Sequence, residues 1–445
     1  MDHIKTGIDV VTNRFGLHYF PDSLHYGEKD LKLWLPRLQQ LNAGWLVVNS
    51  PTSRAIPEEF ISGIAKTGIK PVVDFSFPLS QAVPWSDLEV LLRAYGRWGV
   101  SHALLNRQPN NQSAWSVEDW RRSDLVQSFT RQFQQFAQMA LDCGINPVYA
   151  PLVQCGDYWD LSFLEASLKQ LQEESSSFLI NNLTFSAYAW DQGKSLDWGA
   201  GSSRVWKGVK AYKVPKASQD QRGFRAYEWY QDVIQSTLRK KLPMLLLQAG
   251  IANDPILPET KSRQTNPHNQ ELIYRLLNGE NVYNPEIPQQ LISAVTSDVK
   301  ACCFYLLSSN DAENKDFAWF SGSGSAQSPA KTMLEIRQKN AKSEEKSPSS
   351  APEKDSYIFD HGRYILIAQS LKPRMQEILQ KMHPYISRYK PMVGFSCEEA
   401  KKSAYILVIA YQEDFPQKEI EQLQASGSLV RVIHPDELRT SFTVT

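Results

Sequence analysis

Eight short apolar runs separated by longer amphipathic stretches constrain this chain more than any other feature. The runs are FGLHYF (15–20), GWLVVNS (44–50), KPVVDFSF (70–77), HALLNRQ (102–108), NPVYAPL (146–152), LTFSAYAW (183–190), MLLLQAGI (244–251) and ACCFYLLSS (301–309). Each has the length and the apolar character of a strand buried on both faces. Between them, stretches such as EKDLKLWLPRLQQLN, PEEFISGIAKTG, SDLEVLLRAYGRWG and RSDLVQSFTRQFQQFAQMALDCG carry apolar residues three and four apart and close near a glycine, as helices do. Parallel neighbours need a crossover between them, and eight such units allow the last strand to pair with the first. The pattern therefore predicts an α/β chain built on a (β/α)8 TIM barrel. A doubly wound open sheet is the alternative, but no glycine-rich dinucleotide turn follows an early strand.

The barrel pattern stops at RQKNAKSEEKSPSSAPEKDS, residues 337–356, where aromatic and β-branched residues give way to Lys, Glu, Ser and Pro. That composition cannot bury enough apolar surface to order itself, so the stretch reads as a disordered linker between a barrel domain at 1–336 and a smaller domain at 357–445. In the smaller domain RYILIAQS, KPMVGFS, AYILVIAY and SLVRVIHP read as strands, with helical stretches between them. The expectation is a second, smaller C-terminal three-layer α/β domain with a parallel sheet and an accessory role. The segment from Gly394 to Ile433 faintly resembles one repeat of bacterial cell-wall-binding modules of the α/β type, without their glycine-rich signature.

Composition excludes several classes. The 445 residues carry 48 Lys plus Arg against 48 Asp plus Glu, so no global field favours nucleic acid or an anionic membrane. No window approaches a membrane span and the N-terminus lacks a secretory pattern, so the chain reads as cytoplasmic. Five cysteines, Cys143, Cys155, Cys302, Cys303 and Cys397, form neither a disulfide framework nor a zinc pattern. The histidines His3, His18, His25, His102 and His268 lack ligand spacing, so no metal is expected, and no strand end supplies a Schiff-base lysine. No cofactor is expected either. SGSGS, 321–325, has the composition of a phosphate cradle but reads more simply as a turn. Nothing in the residues fixes an oligomeric state.

In a (β/α)8 barrel the functional groups sit at the carboxyl ends of the strands. Those ends carry His18, Tyr19, Asn49, Asp74, Asn106, Arg107, Gln108, Tyr188, Trp190, Asp191 and Gln248, and the loop QCGDYWD adds Asp157, Tyr158, Trp159 and Asp160. Tryptophan, tyrosine, amide and carboxylate groups together suit a polyol ring, whose apolar faces stack on aromatic planes while its hydroxyls need hydrogen-bond partners. The same tryptophans can instead brace loops. A long stretch after the sixth strand, with Trp198, Arg204, Trp206, Lys207, Gln219, Asp220, Arg222 and Arg225, has the length of a lid.

This order of elements resembles the glycoside hydrolase superfamily of (β/α)8 barrels, in particular the retaining clan. The resemblance rests on LLNRQPNN ending the fourth strand, LLLQAG ending the seventh, and ACCFYLLSSND with FAWF at the eighth. It implies an acid/base glutamate within an Asn-Glu-Pro motif on the fourth strand and a nucleophilic glutamate on the seventh. Both positions depart from the pattern. Asn106 and Pro109 match the flanks of the motif, but Arg107 and Gln108 replace its glutamate, and Gln248 stands where the nucleophile is kept.

Retaining hydrolysis needs two carboxyl groups about 5–5.5 Å apart, one attacking and one protonating. An amide does neither, and arginine stays protonated. The leading expectation is a catalytically degenerate barrel that binds a saccharide or related polar ligand through Gln248, Asn106, Arg107, His18, Tyr19, Tyr158, Trp159, Tyr188 and Trp190. An active hydrolase using Asp74, Asp157, Asp160 and Asp191 is the first alternative, with Asp74 alternatively a barrel residue satisfied by Arg107 and Asp160 a helix cap. A protein-interaction scaffold is the second.

Overall fold

The computed structural model describes residues 13–202, 221–251, 267–285, 291–345 and, apart from a few single positions, 361–438. The chain divides into two compact units, Met1–Ala341 and Lys342–Thr445.

The first unit contains the eight expected strands: β1 (Phe15–His18), β2 (Trp45–Asn49), β3 (Lys70–Asp74), β4 (His102–Leu104), β5 (Asn146–Pro147), β6 (Phe185–Tyr188), β7 (Met244–Ala249) and β8 (Val299–Phe304). All neighbours are parallel, and β1 lies between β2 and β8. The two ends of the sheet, β5 and β6, meet through a parallel bridge between Val148 and Thr184. There the Tyr149 N–H donates to the Thr184 carbonyl at 2.8 Å and the Thr184 N–H to the Pro147 carbonyl at 3.0 Å. The sheet is thus closed on itself, which leaves no edge to protect.

A helix follows every strand, from Glu28–Gln40 after β1 to Ser328–Glu345 after β8. The helix–glycine–strand grammar has a local cause. Trp85–Trp98, for example, ends on Gly99 in the left-handed region at φ 96°, which turns the chain toward β4 without a Cβ penalty. Side chains alternate along each strand. One parity, including Phe15, Leu17, Val73, Ala187 and Leu246, packs under the helices in the larger core. The other, including Trp45, Val47, Val72, Leu104, Val148, Leu245, Leu247 and Cys303, fills the barrel interior. Gly16 makes room for this filling: a Cβ there would lie 2.7 Å from the Trp45 Cβ and 2.8 Å from the Cys303 Sγ.

The last barrel helix, Ser328–Glu345, runs beyond the boundary that composition alone would draw at 337. Gln, Lys, Ala and Glu in that stretch are good helix formers, so the helix continues where apolar periodicity stops. The rest of the linker, 346–356, lies outside the described residues. A short antiparallel hairpin, Val282–Tyr283 with Leu291–Ile292, precedes β8 and had no clear sequence signal.

The second unit is a four-stranded parallel sheet of β9 (His361–Ile367), β10 (Met392–Gly394), β11 (Ser403–Ile409) and β12 (Leu429–Ile433), in the order β10-β9-β11-β12. The chain moves one way from β9 to β10 and the other way to reach β11 and β12. Right-handed crossovers then put helices on both faces, giving the three layers expected. Among the described residues, no helix is long and apolar enough to cross a membrane.

Candidate functional site

The floor of the barrel mouth is an ion pair. Asp74, the last residue of β3, points inward and is fully buried. Arg107, just past β4, sets its Nε 2.5 Å from Asp74 Oδ2, and its Nη2 reaches the same oxygen. Nη2 also donates to Asn49 Oδ1 at 3.3 Å. The other Asp74 oxygen accepts the Ser76 N–H at 2.8 Å and its hydroxyl at 2.9 Å. Burial works to lower the Arg107 pKa, but the Asp74 charge and hydrogen bond outweigh it and hold the guanidinium above its ordinary value. The pairing of Asp74 with Arg107 expected from the sequence is therefore present.

His18 lies beside this pair at the inward end of β1, and its Nε2 accepts the backbone N–H of Gln248 at 3.0 Å. Accepting there requires a neutral ring with its proton on Nδ1. Burial, reinforced by the Arg107 charge, pushes the His18 pKa well below its usual value. A neutral imidazole with Nε2 occupied is poorly placed to donate a proton to a ligand.

Alternation alone would send Gln248 out toward the helices, since Leu245 and Leu247 face in. The pairing of β7 with β8 shows why it does not. Leu246 is opposite Cys302 and Ala249 opposite Phe304, so β7 spends three steps where β8 spends two. The extra residue is a β-bulge, with Gln248 at φ 55°, and it turns the side chain into the mouth. There Gln248 Oε1 accepts the Trp190 indole N–H at 3.2 Å. The Trp190 ring stacks on Tyr188 with centroids 4.0 Å apart and planes 5° from parallel. The Tyr188 hydroxyl is buried, with the Gln108 side chain set against it. Burial pushes its pKa up to about 12, an effect Arg107 moderates.

The other sequence candidates lie elsewhere. Tyr19 has the opposite parity to His18 and packs outside the sheet on Tyr26 and Phe60, its hydroxyl donating to the His25 carbonyl at 2.7 Å. Asn106 is turned toward the helical layer, donating to the Phe77 carbonyl at 2.9 Å and accepting from Gln132 at 3.3 Å. Both are corrections to the mouth-lining set: Tyr19 lies on the outer side of the sheet, and Asn106 turns away because the chain has left the strand at Leu104. Asp157 is exposed and caps the Gln112 N–H at 2.8 Å. Tyr158 packs edge-on to Phe163, and the buried Trp159 is the N-cap residue of the helix Asp160–Glu174. Asp191 accepts the Gly193 N–H at 2.9 Å and Asn269 Nδ2 at 3.4 Å.

Asp160 is the first helical residue rather than the cap expected of it. Its buried carboxyl accepts from Tyr230 at 2.6 Å, Gln221 at 3.0 Å and the Cys155 N–H at 3.2 Å. Burial pushes its pKa up to about 6 despite the hydrogen bond from Tyr230. A carboxyl raised in the folded state stabilises the fold below its unfolded value near 4, and that stabilisation is lost as pH rises through about 6. The displacement is worth roughly 3 kcal/mol between the two protonation states. Asp160→Asn can keep all three contacts, its amide nitrogen donating to the Tyr230 oxygen. Its stability relative to the parent should therefore rise between pH 4 and pH 7, as read from urea unfolding at several pH values. Parallel pH profiles would show that burial does not perturb this carboxyl.

In the long stretch after β6, Arg204, Trp206, Lys207, Gln219 and Asp220 lie outside the described residues. At its described ends Arg225 is buried, donating to the Leu196 carbonyl and paired with Glu228, and Lys194 lies 4.7 Å over the Trp198 ring. SGSGS closes as a turn, Ser321 N–H to Ser325 carbonyl at 2.9 Å, with Arg37 Nε on the Gly324 carbonyl at 2.6 Å. Trp115 braces a loop through the Pro109 carbonyl, and Trp319 is core. Among the described residues no group of three or more His, Cys, Asp or Glu side chains is placed to hold a metal ion. A cleft of about 600 Å³ lies between Arg93, Arg131, Gln138 and Glu174, and none of the mouth residues lines it.

The mouth thus gathers Asp74, Arg107, His18, Tyr188, Trp190 and Gln248, and adds Asn49 and Tyr305, whose ring meets His18 edge-on at 5.7 Å. Sequence reasoning passed over Tyr305 because the run ACCFYLLSS is apolar on both sides of it.

Three solved structures illustrate what the chain is similar to. An endo-β-1,3-glucanase of the GH128 family from Amycolatopsis mediterranei, in complex with laminaritriose, shares 10% identity over 73% of this chain and 99% of its own, with a TM-score of 0.40. A GH39 β-xylosidase from Caulobacter crescentus shares 10% over 74% and 72%, with a TM-score of 0.43. Gas2p from Saccharomyces cerevisiae, in complex with laminaritetraose and laminaripentaose, shares 8% over 73% and 63%, with a TM-score of 0.42. No family model and no curated protein matches the sequence. Likeness of this size carries no statement about activity, so the site is read from its own geometry.

Proposed function

We propose that this chain is a glycosidase-shaped barrel that binds a saccharide or related polar ligand at its mouth without retaining hydrolysis. One observation carries the reading. At the strand ends where the resembling clan keeps its two glutamates, this mouth holds Arg107, clasped to Asp74, and Gln248, clasped to Trp190. Neither side chain can attack an anomeric carbon or protonate a leaving oxygen. The Asp74 oxygens are taken up by Arg107 and Ser76, so the floor carboxylate serves the architecture. What remains is a polar, aromatic-backed mouth in which Asn49, Arg107 and Gln248 are partly open to solvent, which is chemistry for holding a polyol.

The purified full chain should retain saccharides on a glycan array, and Gln248→Ala, which leaves the floor ion pair untouched, should weaken that retention at least tenfold. Silence across the array with retention of proteins instead would favour an interaction scaffold.

A further inference from the structure

Each fixed acceptor around the mouth already takes a hydrogen bond from within the protein. Asp74 Oδ2 takes Arg107 and Oδ1 takes Ser76. Asn49 gives its Nδ2 to the Phe20 carbonyl at 2.9 Å, which leaves its Oδ1 for Arg107. His18 Nε2 takes the Gln248 N–H. Gln248 Oε1 takes the Trp190 indole, and because an indole nitrogen only donates, it fixes which end of the amide faces it.

The donors, in contrast, are left over. Gln248 Nε2 and Arg107 Nη1 have no partner among the described residues. Both line the mouth, Arg107 held on Asp74 and Asn49 and Gln248 held on Trp190.

Resting on the saccharide reading above, we propose that the ligand is an acidic saccharide, whose carboxylate is received by Arg107 Nη1 and Gln248 Nε2. A sugar hydroxyl that accepts from these groups must also place its own proton, and every fixed acceptor here already carries at least one bond. A carboxylate only accepts, has about four lone-pair sites, and makes stronger hydrogen bonds to a guanidinium than a neutral oxygen does. Asp74 already compensates the Arg107 charge, so recognition works through these directed bonds rather than through a net field.

The test is calorimetric titration of the full chain with oligogalacturonate, alginate oligomers and aldouronic acids, each against its carboxyl-reduced neutral counterpart. At least one acidic glycan should bind ten times more tightly than its reduced form. Gln248→Glu, which exchanges a donor for a like charge, should erase that preference in a chain still folded by circular dichroism, and Gln248→Ala should diminish it. Equal or tighter binding of the reduced forms overturns the acidic assignment and leaves the saccharide reading standing. No binding in either series overturns both. An acid preference that survives in both variants overturns its assignment to this mouth.

Discussion

Asp74→Asn is expected to cost about 3–5 kcal/mol of folding stability, read as a fall in the urea midpoint at constant slope. The substitution is nearly isosteric, so lost volume does not enter. It leaves the Arg107 guanidinium at the barrel floor with no counter-charge and exchanges one acceptor oxygen for a donor facing it. The reason for so large an effect is asymmetry. A buried pair of this kind roughly balances its desolvation cost against its attraction, whereas breaking it leaves one charge uncompensated. The joint replacement Asp74→Leu with Arg107→Met should accordingly recover most of the loss. A cost below about 1 kcal/mol for Asp74→Asn would mean that solvent, rather than the carboxylate, satisfies Arg107.

Trp190→Ala should cost a comparable 3–5 kcal/mol, from a different source. The ring is almost wholly buried, belongs to the interior cluster and lies flat on Tyr188, so truncation removes both burial and the stack. It also removes the N–H that orients Gln248. Trp190→Phe keeps an aromatic plane and should cost well under half as much in stability, while still freeing the Gln248 amide to turn. Comparing the two by thermal unfolding and by ligand titration separates the packing role from the orienting one. Equal stability losses would show that the hydrogen bond, not the ring contact, holds the wall.

Much of this barrel is legible in the sequence because its determinants are local. Short buried strands, helices closed by glycine and the parity of apolar positions are all encoded within a few residues of where they act. That parity also separates Tyr19 from His18, since Phe15, Leu17 and Tyr19 share a side that the helices cover. Asn106 shows where parity stops working. It shares the parity of the inward Leu104, but the chain has left the strand, and its amide turns to Phe77 and Gln132. Gln248 fails in the opposite sense. Counted from Leu247 it belongs outside, and only the extra residue relative to β8 brings it in. A bulge is a property of two paired strands, so one strand's sequence does not announce it. Asp160 presents a third case: its helix-start position is local information, but its partners Gln221 and Tyr230 come from the far side of a long connection.

The central claim is that the mouth holds a ligand without the carboxylate pair of retaining hydrolysis. It is tested most directly by incubating the purified chain with a panel of 2-deoxy-2-fluoroglycosides, which trap a glycosyl–enzyme ester, and weighing the intact protein. The account predicts an unchanged mass at every time point, with no new reducing ends from the corresponding natural glycans. A stoichiometric glycosyl adduct mapped to any aspartate or glutamate of the barrel would contradict it.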